Sequence, residues 1–185
     1  MSDAEIDGGD TDGGTDGDGD ADIDSRSGAD DTLVEVVRAT GHEHVTAEHA
    51  STFEFTTDDW LTPAGDCIVG VEADRTPHDF SSEFREACRD ADATITATIA
   101  VGEPDAADAS LDDPAHVDVI VGRGDPGLAL VDDRSMVGRT SDYTDDERTI
   151  LVEGDGAAAD LDRDLVDALA EGAPVALRLA VDPAE

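Results

Sequence analysis

The sequence predicts an α+β domain of mostly antiparallel β structure, with about eight strands and two helices, duplicated about a pseudo-twofold axis and open to closure as a barrel. Three observations predict it. Short runs alternate apolar and polar residues, two helical patterns of like form lie about eighty residues apart, and five successive segments of residues 33–101 reappear in order in residues 117–181. Residues 32–185 then form one domain of two repeats, about 33–101 and 117–181, behind a tail.

That tail, residues 1–31, is Gly, Asp and Ser with almost nothing apolar to bury. Nothing offsets its ordering entropy, so it reads as disordered. Its Asp-x-Asp-Gly pieces lack the twelfth-position Glu and the flanking helices of a calcium loop. Residues 33–40 are rich in Val and read as a strand, and 41–44 turn the chain. Residues 45–56 alternate, with Val45, Ala47, His49, Ser51, Phe53 and Phe55 on one face, which predicts a half-buried strand. A single helical turn capped by Thr57 follows over 57–61. Pro63, Gly65 and Asp66 then turn the chain into a strand over 67–72. Asp79 caps a helix whose apolar positions are Phe80, Phe84, Ala87 and Cys88, the spacing of one helical face. Residues 94–101 alternate again with Ile95, Ala97, Ile99 and Val101 inward, and 102–116 form a polar linker.

The second half echoes the first with a slowly drifting offset. Residues 117–124 match 34–41 at an offset of 83, and Leu128 and Tyr143 fall opposite Val45 and Trp60 at the same offset. Thr149, Ile150 and Leu151 then fall opposite Cys67, Ile68 and Val69 at 82. The second helix sets Asp160, Leu161, Leu165, Ala168 and Leu169 against the first at 81, and the last strand follows at 80.

Charge describes the solvent more than the partners. Residues 1–31 hold 12 acidic residues and one Arg, so residues 32–185 still carry −26 of the net −37. All 11 cationic side chains are Arg, and only six residues are Phe, Trp or Tyr. Self-repulsion of this size destabilises a compact chain at low ionic strength. At about 1 M salt the Debye length is roughly 3 Å and the repulsion fades. The composition therefore points to a salt-adapted cytoplasmic protein. A calcium store or a nucleic-acid mimic is the sharper reading, but acidity spread along the whole chain favours the solvent reading. Cys67 and Cys88 are too few for a disulfide framework, and no signal peptide or apolar run of membrane length is present.

Four motifs carry a resemblance. GHEHVTAEH at 41–49, LTPAGDCIVGVEAD at 61–74, GRGDPGLAL at 122–130 and RTILVEGDGAAADLDRDLV at 148–166 are similar to segments of a small archaeal family of unknown function. The resemblance spans about 33–181, implies an archaeal origin and supplies no activity. Asp125 and Asp132 stand where it leads one to expect His.

Candidate site residues come from polar side chains on apolar faces. His49 lies between Ala47 and Ser51, and its echo Asp132 shares a face with Leu128, Leu130 and Met136. Ser51 echoes Arg134. Buried polar groups cost several kcal/mol unless satisfied, so an inward level of such residues in both halves calls for a partner. If the halves pack about a twofold axis, these residues converge with the turn residues His42 and Asp125 in a pocket at the repeat interface. One reading is a ligand site at His49, Ser51, Arg123, Asp132 and Arg134, with Arg139 and Arg148 completing a clamp for a small anionic ligand. The alternative is a metal-dependent enzyme with His42, His49, Asp125 and Asp132 as ligands. The plain reading, local hydrogen bonding by His49 and Asp132, stands beside both. Cys67, with Thr149 as its echo, reads as a packing residue, and Asp66 and Arg148 as caps of local turns.

No phosphate loop, dinucleotide fingerprint, serine elbow or zinc-protease helix occurs. A protein partner at the repeat interface remains open. Nucleic acid ranks low, because no aromatic-rich stacking strand is present, although salt adaptation would hide a basic patch. The sequence names no cofactor.

Overall fold

Runs rich in β-branched residues take extended backbone where one face can be buried. The computed structural model describes residues 31–185, so the expected tail lies outside the described residues except for Asp31. Its strands are β1 (Leu33–Thr40), β2 (Thr52–Thr56), β3 (Ile68–Gly70), β4 (Thr94–Val101), β5 (His116–Arg123), β6 (Ser135–Arg139), β7 (Thr149–Leu151) and β8 (Pro174–Asp182). Two helices, α1 (Ser82–Ala87) and α2 (Arg163–Ala170), follow the short 3-10 turns Pro77–Asp79 and Ala158–Asp160.

The strands form two four-stranded sheets, ordered β1-β8-β4-β5 and β3-β2-β6-β7. All neighbours in the first are antiparallel; in the second only β2 and β6 are, while β3 and β7 lie parallel at the edges. The eight mostly antiparallel strands and two helices agree with the expected α+β class. The barrel does not close. At each of two corners the sheets are joined by one isolated bridge, Thr40 with Val71 and Arg123 with Val152. The inward side chains of both sheets and of the helices form one core cluster, including Phe53 and Phe55 of β2, Ile95 and Ile99 of β4, Phe84 of α1 and Leu165 of α2. Each such side chain stabilises the fold by about 1.5–3 kcal/mol.

The outward side chains of the first sheet matter later. They are Val34, Val36 and Arg38 on β1, Ala176, Arg178 and Ala180 on β8, Thr96, Thr98 and Ala100 on β4, and Val117, Val119 and Val121 on β5.

Local geometry recurs between the halves down to single hydrogen bonds. Four non-glycine residues have positive φ, and they fall in two pairs: Ala47 (46°) with Leu130 (53°), and Glu72 (54°) with Glu153 (49°). Gly41 N–H donates to Ala173 O at 2.8 Å, and Gly124 N–H to Ala93 O at 3.0 Å. A Cβ at Gly41 would lie 2.1 Å from Leu169 O, and one at Gly124 would lie 2.4 Å from Cys88 O. Each half's first strand thus ends hard against the end of the other half's helix. Each first strand also pairs with the other half's last: β1 with β8, and β5 with β4.

Several local expectations are corrected. The strand expected over 45–56 is limited to β2. Val45 and Ala47 are buried as expected, but the chain leaves extended backbone at Ala47 and stays irregular to Ser51. The turn of helix over 57–61 does not form. The strand expected over 67–72 is regular only at β3. Asp79 does not cap α1; its Oδ2 accepts from Thr76 N–H at 3.0 Å, closing the preceding 3-10 turn, and Ser81 caps the helix through Phe84 N–H. The ladder also sets Ile68, not Cys67, in the place of Thr149: Glu54 faces Ile68 and Val137 faces Thr149, an offset of 81. Cys67 and Asp66 therefore correspond to Arg148 and Glu147.

Candidate ligand groove

Pleating sends Phe53 and Phe55 of β2 inward and Thr52, Glu54 and Thr56 outward. On β6 the outward residues are Ser135, Val137 and Arg139. The outer face of the second sheet therefore carries a polar network around its two central strands. Cys67 Sγ donates to Glu54 Oε2 at 3.3 Å, and Arg148 Nη1 donates to Glu54 Oε1 at 3.1 Å. Arg139 Nη2 reaches Asp146 at 2.6 Å and Nε reaches Thr149 Oγ1 at 2.9 Å, while its guanidinium lies 4.9 Å over the Tyr143 ring. At the opposite end Arg134 binds Asp58 through Nε and Nη2, the latter at 2.8 Å.

Between Arg134 and Arg148 lies a groove of about 470 Å³ floored by β2 and β6. Trp60, Thr56, Ser135 and Ile68 share its lining with Glu54, Asp58 and Asp132. Among the described residues, Arg134 Nη1 and Arg148 Nη2 donate no hydrogen bond, so each guanidinium keeps one edge free. Trp60, 57% exposed, stands among the lining residues of the groove.

Burial alone would raise the Asp146 carboxyl, but donors from Thr149, Arg139 and the backbone of Arg148 hold it below the ordinary carboxylate range. Burial, reinforced by the Glu54 charge, pushes the Cys67 thiol up to about 12, and burial does the same for Cys88. Neither is an activated nucleophile. The Arg134 guanidinium lowers the Asp58 carboxyl mainly through their hydrogen bond.

The acceptors expected to converge are engaged in local turns instead. His49 Nδ1 accepts from the N–H groups of Ser51 (3.3 Å) and Thr52 (3.1 Å). Asp132 Oδ1 does the same for Arg134 and Ser135, both at 2.8 Å. His42 Nδ1 accepts from His44 N–H, and Asp125 Oδ1 from Gly127 N–H. Imidazole and carboxylate thus play one role at equivalent places, that of a local turn acceptor. His49 and Asp132 are half-buried while Ser51 and Arg134 are exposed, so the expected inward polar level is corrected. The turn beginning at Ala47 or Leu130 swings these side chains off the core face. Among the described residues no group of three or more His, Cys, Asp or Glu could hold a metal ion, so His42, His49, Asp125 and Asp132 are not gathered into a centre. Asp132 and Arg134 do line the groove, joined by Arg148. Arg123 lies elsewhere, paired with Glu153 and Asp125. Trp60, Glu54 and Asp58 escaped the sequence reading; the one available signal was that Trp60 is the sole Trp.

These features define a two-sheet α+β protein with an arginine-flanked groove across the seam of its halves. Residues 37–182 match the family model described as a domain of unknown function, DUF371, and the chain belongs to that family. A relative is the uncharacterized protein MJ0206 of the archaeon Methanocaldococcus jannaschii, 34% identical over 146 residues, which cover 79% of this chain and 98% of the relative. Among the described residues no helix is long and apolar enough to cross a membrane.

Proposed function

We propose that this protein is a binding module for a small anionic ligand, held in the groove between Arg134 and Arg148 with its planar or apolar part against Trp60. The observation that carries the reading is the pair of arginines, each with a free N–H edge, flanking a groove of ligand size in a chain of net charge −37. Asp58 and Glu54 orient the two guanidiniums, and Thr56 and Ser135 supply neutral hydrogen-bonding groups. On this reading the molecule arose by tandem duplication and works in the cytoplasm at high salt, where a screened −37 surface no longer repels an anion. The recurring φ values and turn bonds support the duplication.

The test is thermal melting of the full chain in molar KCl against inorganic phosphate, a nucleoside monophosphate and a small dicarboxylate. A ligand present at about 100 times its Kd adds roughly 2.7 kcal/mol, several degrees for a protein of this size. Arg134→Ala should remove the response, and Arg123→Ala, outside the groove, should leave it. Silence across the three probes, or a response that survives Arg134→Ala, refutes the reading.

A further inference from the structure

The outer face of the β1-β8-β4-β5 sheet breaks the charge rule of the chain. Of 185 residues 48 are acidic, yet the three central outward positions on each of its four strands contain no Asp or Glu. Neither helix covers it: Val34 on one edge and Val119 on the other are 42% and 47% exposed. The face is a trough. Valines stand on β1 and β5, and the β8 and β4 floor between them is Ala180, 4% exposed, with Thr96, Thr98 and Arg178. One end is closed by the chain itself, where Arg38 Nη1 donates to Ala109 O at 2.9 Å and holds the 102–115 segment down. In the middle Arg178 makes no ion pair or hydrogen bond among the described residues.

We propose that this trough receives an amphipathic helix of a partner protein, with an aliphatic stripe against the valines and a Glu or Asp on Arg178. Two properties select that occupant. Three strand spacings of 4.7–4.9 Å set β1 and β5 about 14 Å apart, and a helix with its side chains is about 10–12 Å wide. A central guanidinium with no partner among the described residues, on a face whose acids, Asp182 and the Arg38-paired Asp108, stand only at its ends, is complemented by a carboxylate that arrives with the partner. A second copy fits poorly. Two troughs meeting face to face leave their small-residue floors unfilled, and their Arg178 guanidiniums meet with no acid between them.

The probe is a displayed library of 18-residue helical peptides, selected on the full chain in molar KCl and counter-selected on the Val119→Asp variant. The expected winners carry aliphatic residues at i, i+3 or i+4, and i+7, together with an acid. Synthesised, they should lose at least tenfold in affinity on Arg178→Gln, whereas peptides with that acid changed to Gln should be indifferent to it. Melting curves of the free variants confirm that they fold, and Arg178→Gln keeps the test alive if Val119→Asp does not. The proposal is overturned by no enrichment over the counter-selection, by winners lacking a helical stripe, or by binding insensitive to Arg178→Gln. It is also overturned by a dimer in sedimentation that Val119→Asp dissolves.

Discussion

Replacing Gly41 or Gly124 by Ala probes the contact on which the two halves depend. The added Cβ would come within 2.1 Å of Leu169 O or 2.4 Å of Cys88 O, where nonbonded carbon contacts settle near 3.5–4.0 Å. The obstacle is backbone at a helix end, so no side chain can rotate away. A displacement of over 1 Å between strand and helix has to be absorbed by the core. Overpacking a core costs about 1–3 kcal/mol, and movement of backbone places these sites at or above the top of that range, at about 3–5 kcal/mol each. Gly156→Ala is the control, since its Cβ would meet nothing nearer than 3.6 Å. Urea unfolding of the full chain in molar KCl, followed by circular dichroism, measures all three. The expected result is a large and similar loss at positions 41 and 124, or no folding, against a change within about 1 kcal/mol at 156. A loss below about 1 kcal/mol at either interlocking glycine would refute the argument that each half's strand is seated on the other's helix.

Three further outcomes follow from the groove and its network. Asp146 accepts from Thr149 N–H, Thr149 Oγ1 and Arg139, and its carboxyl lies below the ordinary range in the folded state. Its stabilisation is therefore full above the ordinary carboxylate pKa and is lost as pH falls through the depressed folded value; Asp146→Asn should flatten the acid limb of stability against pH, read by urea titration. With burial beside Glu54 pushing its thiol up to about 12, Cys67 should alkylate with iodoacetamide at pH 8 at least about tenfold more slowly than a free thiol, as counted by mass spectrometry. Arg134→Ala should leave the melting temperature of the free chain nearly unchanged, because the Arg134 side chain is exposed and an exposed ion pair contributes little, while the anion response disappears.

The sequence was most legible where a strand has one wet face and one dry face. β1 and β4 begin and end where the Val-rich run and the alternation predict, since both keep a regular ladder on β8. Residues 45–51 misled for a physical reason. Val45 and Ala47 are buried alternately, as in a strand, yet the positive φ of Ala47 has no sequence signature without a glycine. Asp79 misled because a carboxylate that closes a 3-10 turn looks the same as one that opens a helix three residues later. At the groove, Asp132 and Arg134 were legible as polar residues out of place. Glu54 and Asp58 were not, because an outward carboxylate in so acidic a chain reads as solvated surface. Only the register of β2 on β6, closed by pairs such as Glu54 with Val137, brings them to the two arginines.

Leu33 at the start of β1 lies opposite Val181 near the end of β8, the same neighbour relation that the 102–115 segment creates between β4 and β5. In the first sheet a covalent link could therefore join β8 to β1 as the 102–115 segment joins β4 to β5. A circular permutant that joins Asp182 to Leu33 through a short linker and opens the chain near residue 105 keeps every strand pairing while making the second half come first. If that permutant gives the circular dichroism and cooperative unfolding of the parent chain, order of synthesis and architecture are separable in this molecule.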